Sequence, residues 1–193
     1  KELYRGKSLT SYAIGTKRLF KWLDQNPLVE FQSVEKVYNP SLIGRNPGFV
    51  AYIPIHMVDL YGRICLQTGD VNLSIGSAEV LDFFNGAELS EGGRTIFALP
   101  SRNRKGEPNV LLSADGFENQ FALRESVDMV VTEYGAASLS GRTVRERAQA
   151  LIEIAHPEDR QALIDNAKKL NVLYPDQIFL AESAHLYPAH LSV

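Results

Sequence analysis

Short apolar runs that end at a glycine or proline recur along this chain, and segments with helical spacing follow them. The run at residues 95–99 stops at Pro100, and the run at residues 129–132 leads into a turn that ends at Gly135. Runs this short, bounded by turn residues, are typical of buried strands. The recurrence of strand, turn and helix predicts an α/β fold, a three-layer-like mixed sheet flanked by helices.

Glycines and prolines divide the middle of the chain. Apolar runs at residues 49–60 and 63–66 flank Gly62 and predict a hairpin, with Pro54 favouring a sheet edge or a bulge for the first strand. A strand at residues 71–75 and a helix at residues 79–84, ended by Gly86, are expected next.

Two helices are predicted in the last third of the chain. Thr143 and Glu146 have the spacing of a capping box, in which each side chain bonds a free backbone N–H at the helix start. That helix ends before His156, because Pro157 is poorly tolerated in a helix interior. Pro157 instead suits the first turn of a second helix.

Size and composition exclude several classes of protein. The chain has 193 residues and 21.5 kDa, so a single domain spanning 1–193 is expected. A net charge of −3 argues against nucleic acid or an anionic membrane as a partner, and no apolar run approaches the length of a membrane helix. The lone Cys65 fits a reducing, cytoplasmic compartment. Because Lys1 begins what reads as folded sequence, the chain is interpreted as a piece of a longer polypeptide.

Most polar clusters of the sequence have ordinary explanations. No metal site is expected, because the histidines lack ligand spacing, and Cys65 is interpreted as an inert core thiol. The arginines between residues 142 and 147 are expected on a solvated helix face, and residues 101–105 in an exposed loop.

Two junctions are candidates for chemistry. The small residues at 74–79 form a strand-to-helix turn whose free N–H groups can face an anion. Glu133 lies at the carboxyl end of a predicted strand, where α/β sheets bind ligands. From spacing alone, a carboxylate that caps local amides is an equally good explanation of Glu133.

Four motifs near the second junction resemble the C-terminal half of the acetyl-CoA hydrolase/CoA-transferase family. They are Thr-Glu-Tyr-Gly at 132–135, Leu-Ser-Gly at 139–141, Arg-Glu-Arg-Ala at 145–148 and Ile-Ala-His-Pro at 154–157. Further matching segments lie upstream, at residues 26–27, 39–40, 58–60, 81–83, 86–87 and 92–101. The resemblance extends from about Lys7 to about Lys169.

The resemblance implies a covalent mechanism on coenzyme A thioesters. In this family a glutamate attacks the acyl-CoA carbonyl, and an anhydride and then a glutamyl-CoA thioester form. That glutamate is expected just upstream of Lys1, so this chain alone should be inactive, and an N-terminal domain of the same polypeptide is the implied partner. By motif position, Asn39 resembles the asparagine near the acyl thioester. Glu133, with Gly135 beside it, resembles the carboxylate that meets coenzyme A or shifts on binding.

One loop departs from the family pattern. Many members have Gly-Val-Gly-Gly-Gln where this chain has Gly76, Ser77, Ala78, Glu79 and Val80, and amides of that loop help to form the oxyanion hole. Ala78 can still donate its N–H, but Glu79 adds negative charge beside an oxyanion.

Three functions remain open from the sequence. The first is coenzyme A transfer between an acyl-CoA and a small carboxylate such as acetate. Hydrolysis of the acyl-CoA is the second, and a non-catalytic acyl-CoA-binding module, suggested by the altered loop, is the third. All three require Asn39, residues 76–79 and Glu133 to converge on one cleft. The sequence also leaves open whether the chain forms a homo-oligomer.

Overall fold

The computed structural model describes residues 4–66, 77–117, 120–121 and 127–179, and these fold into two compact units. Unit 1 is formed by Lys1–Phe49 with Gly76–Arg94, and unit 2 by Val50–Ile75 with Thr95–Val193. The expected strand at residues 71–75 lies outside the described residues.

In its described residues, unit 1 combines a small parallel sheet with four helices. Its elements are β1 (Ser8–Thr10), α1 (Lys17–Leu23), β2 (Val29–Phe31), α2 (Val34–Val37), α3 (Pro40–Ile43) and α4 (Ser77–Leu89). The strands β1 and β2 pair in parallel, with Leu9 opposite Glu30. Asn39 caps α3, and Pro40 occupies its first turn, as an Asn-Pro pair favours.

The helix α4 is longer than the sequence suggested. The expected end at Gly86 is wrong, because α4 continues to Leu89. Gly86 is used for close packing, since a Cβ atom there would lie 2.4 Å from Cγ2 of Ile43 on α3. A glycine inside a helix therefore marks an approach between two helices here, and not a terminus.

The described part of unit 2 contains two four-stranded sheets and two helices. The strands are β3 (Val50–Pro54), β4 (Met57–Asp59), β5 (Ile64–Cys65), β6 (Arg94–Ala98), β7 (Val110–Leu111), β8 (Gln120–Phe121), β9 (Met129–Thr132) and β10 (Gly135–Ser138), and the helices are α5 (Val144–Glu153) and α6 (Pro157–Lys169).

The first sheet has the order β10-β9-β6-β3 and is mixed. The strands β6 and β9 are parallel, with Phe97 opposite Val130, and both side chains are fully buried. An antiparallel hairpin joins β9 to β10, which the sequence did not predict. The edge position of β3, which ends at Pro54, confirms the expectation for that proline.

The second sheet has the order β7-β4-β5-β8 and contains a hairpin around the predicted turn. The single first strand expected at residues 49–60 is wrong, because this run divides into β3 and β4, which belong to different sheets. The strands β4 and β5 are antiparallel around a turn at Gly62, whose φ of 81° suits glycine. The buried Asp59 carboxylate holds this turn by accepting bonds from the N–H groups of Tyr61 and Arg63. Cys65 is fully buried in β5, and burial raises the pKa of its thiol, as an inert core cysteine requires.

The predicted helices of the last third are present. Thr143 Oγ1 accepts the Glu146 N–H, and Glu146 accepts the Thr143 N–H, so the capping box is confirmed. Pro157 begins α6 as expected. Leu151 and Ile152, two of the buried residues of α5, belong with Leu139 to the buried apolar residues of the chain. Mixed sheets flanked by helices confirm the α/β fold class. Among the described residues, no helix has the length and apolarity that crossing a membrane would need.

Candidate functional site

Glu133 occupies the tip of the β9–β10 hairpin in unit 2. Thr132 and Gly135 are paired across the hairpin, so Glu133 and Tyr134 form a two-residue turn. Gly135 has a φ of 150°, a conformation that side chains with a Cβ rarely adopt. Since β9 is parallel to β6, the tip lies at the edge of the sheet where both strands end. Glu133 is exposed there, at the type of edge where α/β sheets bind ligands.

Two hydrogen bonds from Ser101 hold the Glu133 carboxylate. The Ser101 N–H donates to Oε2 at 2.8 Å, and the Ser101 hydroxyl donates to Oε1 at 2.6 Å. Partial burial is the largest influence on the pKa of Glu133 and raises it, but these bonds and the nearby His156 outweigh burial and lower the pKa below its usual range. Glu133 is therefore ionised and fixed in place.

The loop that carries Ser101 is tied to α6. Arg102 binds Asp159 through two bonds, Nε–Oδ2 at 2.9 Å and Nη2–Oδ1 at 2.6 Å, and a third bond reaches Glu158. The Arg102 hydrogen bonds lower the pKa of the Asp159 carboxyl. Ser101 is only 1% exposed, so the expectation of an exposed loop at residues 101–105 is wrong at its first residue.

The second residue of the turn packs on the start of α6. The Tyr134 ring meets the His156 ring edge-on, with 5.4 Å between centroids, and the Arg160 guanidinium lies 5.7 Å from the Tyr134 centroid. His156 also caps α6, because its Nδ1 accepts the Glu158 N–H. This histidine therefore has a structural role at the start of α6. The hairpin tip is thus supported on one side by Ser101 and on the other by α6.

Asn39 lies in unit 1 and serves as the N-cap of α3. Its Oδ1 accepts the Leu42 N–H at 3.2 Å. The neighbouring Tyr38 packs edge-on against Phe83 of α4. Burial, a hydrogen bond with Tyr12 and the charge of Glu79 together raise the pKa of Tyr38 to about 12. Glu79 is therefore within electrostatic reach of the residue beside Asn39.

The altered loop is described in part. Gly76 lies outside the described residues, while Ser77, Ala78 and Glu79 form the first turn of α4. The first N–H groups of a helix have no acceptor within the helix, and Glu79 there complements the helix dipole.

The candidate residues divide between the two units. Asn39, Ser77, Ala78 and Glu79 belong to unit 1, and Glu133 and Gly135 belong to unit 2. Convergence of all of them on one cleft stays a prediction. Sequence reasoning missed Ser101, although it lies soon after β6, the strand that is parallel to β9, with Leu99 and Pro100 between them.

The arginine cluster differs from expectation. Arg147 is only 7% exposed, and its Nε donates to the Arg142 carbonyl, so a fully solvated face is wrong for this residue. The Arg145 guanidinium stacks on Tyr174, with 3.6 Å between its Cζ and the ring centroid. Within the described ranges, no group of three metal-ligating side chains comes together.

Comparison with known proteins identifies related chains. Residues 15–167 match the family model described as the acetyl-CoA hydrolase/transferase C-terminal domain. A 4-hydroxybutyrate coenzyme A transferase of Clostridium kluyveri is 40% identical over 170 residues, which cover 88% of this chain and 40% of that protein. A succinyl-CoA:acetate/propanoyl-CoA:succinate CoA transferase of Fasciola hepatica is 36% identical over 165 residues, or 84% of this chain and 34% of that protein.

A solved structure agrees with the sequence matches. The crystal structure of RipA from Yersinia pestis superposes with a TM-score of 0.74 at 32% identity, over 89% of this chain and 38% of that chain. The aligned part of this chain thus spans about 40% or less of the length of these relatives. The match over residues 15–167 covers most of the 193 residues, and the chain belongs to the acetyl-CoA hydrolase/transferase family as its C-terminal domain.

Proposed function

We propose that this chain is the C-terminal half of an acyl-CoA:carboxylate CoA-transferase, a single domain over residues 1–193 joined to an N-terminal domain of the same polypeptide. The observation that carries the proposal is the fixed, ionised and exposed Glu133 carboxylate at the sheet edge of a chain from this family. The relatives named above are coenzyme A transferases and extend well beyond the aligned segment, which supports the proposal.

The proposed reaction proceeds through a glutamate of the upstream domain. Its carboxylate forms a C–O bond to the acyl carbonyl and expels the coenzyme A thiolate, which gives an anhydride. The thiolate then attacks the glutamyl carbonyl, and the acyl carboxylate leaves. A second carboxylate reverses these steps and departs as the new acyl-CoA. Exclusion of water from the thioester separates transfer from hydrolysis.

Glu133 is proposed to bind coenzyme A. An ionised carboxylate only accepts hydrogen bonds, and each oxygen has room for about two donors. Ser101 occupies one position on each oxygen, which leaves capacity toward solvent on an exposed side chain. The amide N–H groups of the pantetheine arm of coenzyme A are suitable donors. Gly135 keeps the backbone beside the turn free of a side chain.

The residues of unit 1 are proposed to surround the acyl group. Asn39 would place its amide near the thioester, and the N–H of Ala78 at the start of α4 would donate to the oxyanion. Negative charge on Glu79 opposes an oxyanion nearby. We therefore expect oxyanion stabilisation to be weaker in this chain than in relatives with glycine at that position.

Intact mass of the full-length parent protein after incubation with acetyl-CoA tests the mechanism. A glutamyl-CoA thioester adds the mass of coenzyme A less one water, and borohydride should remove that adduct. Product analysis with and without acetate then separates transfer from hydrolysis, because release of free coenzyme A that ignores acetate would identify a hydrolase. The 193-residue chain alone is the control and should form no adduct.

The binding-module alternative has a distinct result. If the full-length protein forms no adduct but binds acetyl-CoA in calorimetry, the transferase proposal fails. Reverting Glu79→Gly in that protein then tests whether the altered loop is the cause, since recovery of the adduct would assign the loss to this residue.

A further inference from the structure

The helix α1 has an apolar face that the described residues cover only in part. Around the helix, its apolar residues occupy one arc, which we name the α1 face: Leu19, Phe20, Trp22 and Leu23. None of the α1 residues is buried, and Phe20 and Trp22 are 50% and 57% exposed. Lys17 and Lys21 occupy the opposite side. An apolar face opposite a basic one is typical of a helix that packs against another element.

Segments next to α1 carry more exposed apolar side chains. Their exposed fractions lie between 51% and 66%, at Tyr12, Ile14, Leu28 and Phe31. Within the described residues, Phe31 lies in a two-stranded sheet formed by β1 and β2, which is marginal without further packing. A fully covered aromatic side chain buries about 150–250 Å². Four aromatic residues here are about half exposed, so together they leave on the order of 300 Å² of apolar surface uncovered: Tyr12, Phe20, Trp22 and Phe31.

The helix α1 is too short to be stable by itself. Isolated helices below about 12 residues are marginal in water, and α1 has seven residues. Its Thr16 N-cap makes no side-chain capping bond, so its stability depends on packing of the apolar face. An exposed face on such a helix therefore points to a covering element.

We propose that the α1 face, with its exposed apolar neighbours, is the surface on which the upstream part of the same polypeptide packs. The relatives supply the argument for this occupant, because the segment aligned with this chain is 40% of the Clostridium kluyveri protein and the matched family model is a C-terminal domain. The remaining length is large enough to supply a covering surface. The proposal rests on the larger polypeptide proposed above and is independent of its chemistry.

Site-specific photocrosslinking in the full-length protein tests the occupant. The photoreactive residue p-benzoylphenylalanine replaces Trp22 in one variant and Lys21 in the other, and both replacements are on the same helix. Because the new side chain is aromatic and close in size to tryptophan, the Trp22 variant should keep its fold. Crosslinked peptides are identified by mass spectrometry after digestion.

We expect the Trp22 variant to crosslink within one chain to residues upstream of Lys1, several-fold more than the Lys21 variant. Crosslinks between two copies, crosslinks to residues 180–193, equal yields at both positions, or no crosslink from position 22 would each overturn the proposal. The same preparations are assayed for the glutamyl-CoA adduct. An adduct without upstream crosslinks would support the transferase proposal and refute this surface. Upstream crosslinks without an adduct would support this surface and refute the transferase proposal.

Discussion

At the scale of single residues, the site depends on how one carboxylate is held. Glu133 lies on a turn that could place its side chain in several rotamers, and two bonds from the buried Ser101 select one. Arg102 in turn fixes the Ser101 loop through its bonds to Asp159. A carboxylate positioned before ligand arrives loses less side-chain entropy on binding. Arg102 therefore positions the Ser101 loop, and Ser101 positions the Glu133 carboxylate.

Replacing Ser101→Ala should weaken this arrangement. The variant removes the hydroxyl donor to Glu133 and keeps the backbone donor, so the pKa of Glu133 should rise toward its usual value. We expect a loss of stability of about 1 kcal/mol or less, because Glu133 is exposed to water. Carbon-13 NMR of the glutamate carboxyls measures the pKa. The control is Ser138→Ala, an exposed serine of the same hairpin, and an equal shift in both variants would contradict the assignment.

The lowered pKa of Glu133 also predicts a pH dependence of stability. The folded state binds a proton less readily than the unfolded state, whose glutamate pKa is about 4.3, so the contribution of Glu133 is present above that pH and is lost as the pH falls through the folded pKa. Replacing Glu133→Gln should therefore reduce stability at neutral pH and make no difference in acid. Urea unfolding of both proteins between about pH 3 and pH 7 measures this. A difference that is constant with pH would refute it.

The candidate site could be predicted in part from the sequence. Glu133 was selected because it ends a short apolar run and belongs to a motif that resembles the family, although spacing alone explained it equally well as a cap of local amides. Ser101 was missed because a serine among arginines and a lysine has the composition of a solvated loop. Its burial results from β6 lying parallel to β9, which brings residues 32 positions apart into contact. Local composition carries no information about such a pairing.

At the scale of elements, one glycine sets the approach of two helices. Replacing Gly86→Ala would add a Cβ atom 2.4 Å from Cγ2 of Ile43, where α3 meets α4. Although alanine favours helix formation by about 1 kcal/mol over glycine, overpacking costs about 1–3 kcal/mol, so we expect a net loss of stability. Chemical denaturation measures it.

A neighbouring position supplies the control for Gly86. Asn85 is exposed on the same helix, and Asn85→Ala should be neutral or slightly stabilising. Ile43→Ala should cost less stability in the Gly86→Ala protein than in the parent, because it removes Cγ2, the atom nearest to the new methyl. A Gly86→Ala protein as stable as the parent would show that the two helices separate freely.

The turn between β4 and β5 depends on a buried acid. Among the described residues, the Asp59 carboxylate accepts hydrogen bonds from the N–H groups of Tyr61, Arg63 and Ala114 and from the Arg63 Nε. In Asp59→Asn an amide nitrogen would face two of these donors, and we expect a loss of about 2–3 kcal/mol in denaturation. Asp115→Asn is the control, since it removes the exposed partner of Arg63 and should change stability little.

The elements that the sequence predicted well are those specified by local chemistry. The capping box at Thr143, the helix start at Pro157 and the glycine turn at Gly62 each follow from one or two residues. The elements missed depend on contacts between distant segments. The end of α4 was misplaced because Gly86 is explained by its close packing on Ile43, which is distant in sequence. The strand β10 was missed because its small residues, from Gly135 to Ser138, have little strand propensity and form a strand by pairing with β9.

At the scale of the whole molecule, the buried side chains are distributed unevenly between the units. In the described part of unit 1, the buried apolar residues are Ile43, Val80, Phe84 and Ala87. Unit 2 has many more, among them fully buried residues of β4, β5, β6 and β9. Since apolar burial provides most of the stabilising free energy, unit 1 should be the less stable region of this chain.

Amide hydrogen exchange should resolve this difference along the chain. In the 193-residue protein we expect fast exchange in α1, slower exchange in α4, and the slowest in β6 and β9, whose amides open only with the core of unit 2.

In the full-length protein the exchange of α1 should slow more than that of β9, because the α1 face gains its proposed partner while Phe97 and Val130 are already buried. Peptides from β9 are the internal control in both samples. Equal protection of α1 and β9 in the 193-residue protein would refute the unequal stability, and an α1 that exchanges equally fast in both proteins would show that the upstream part does not cover it.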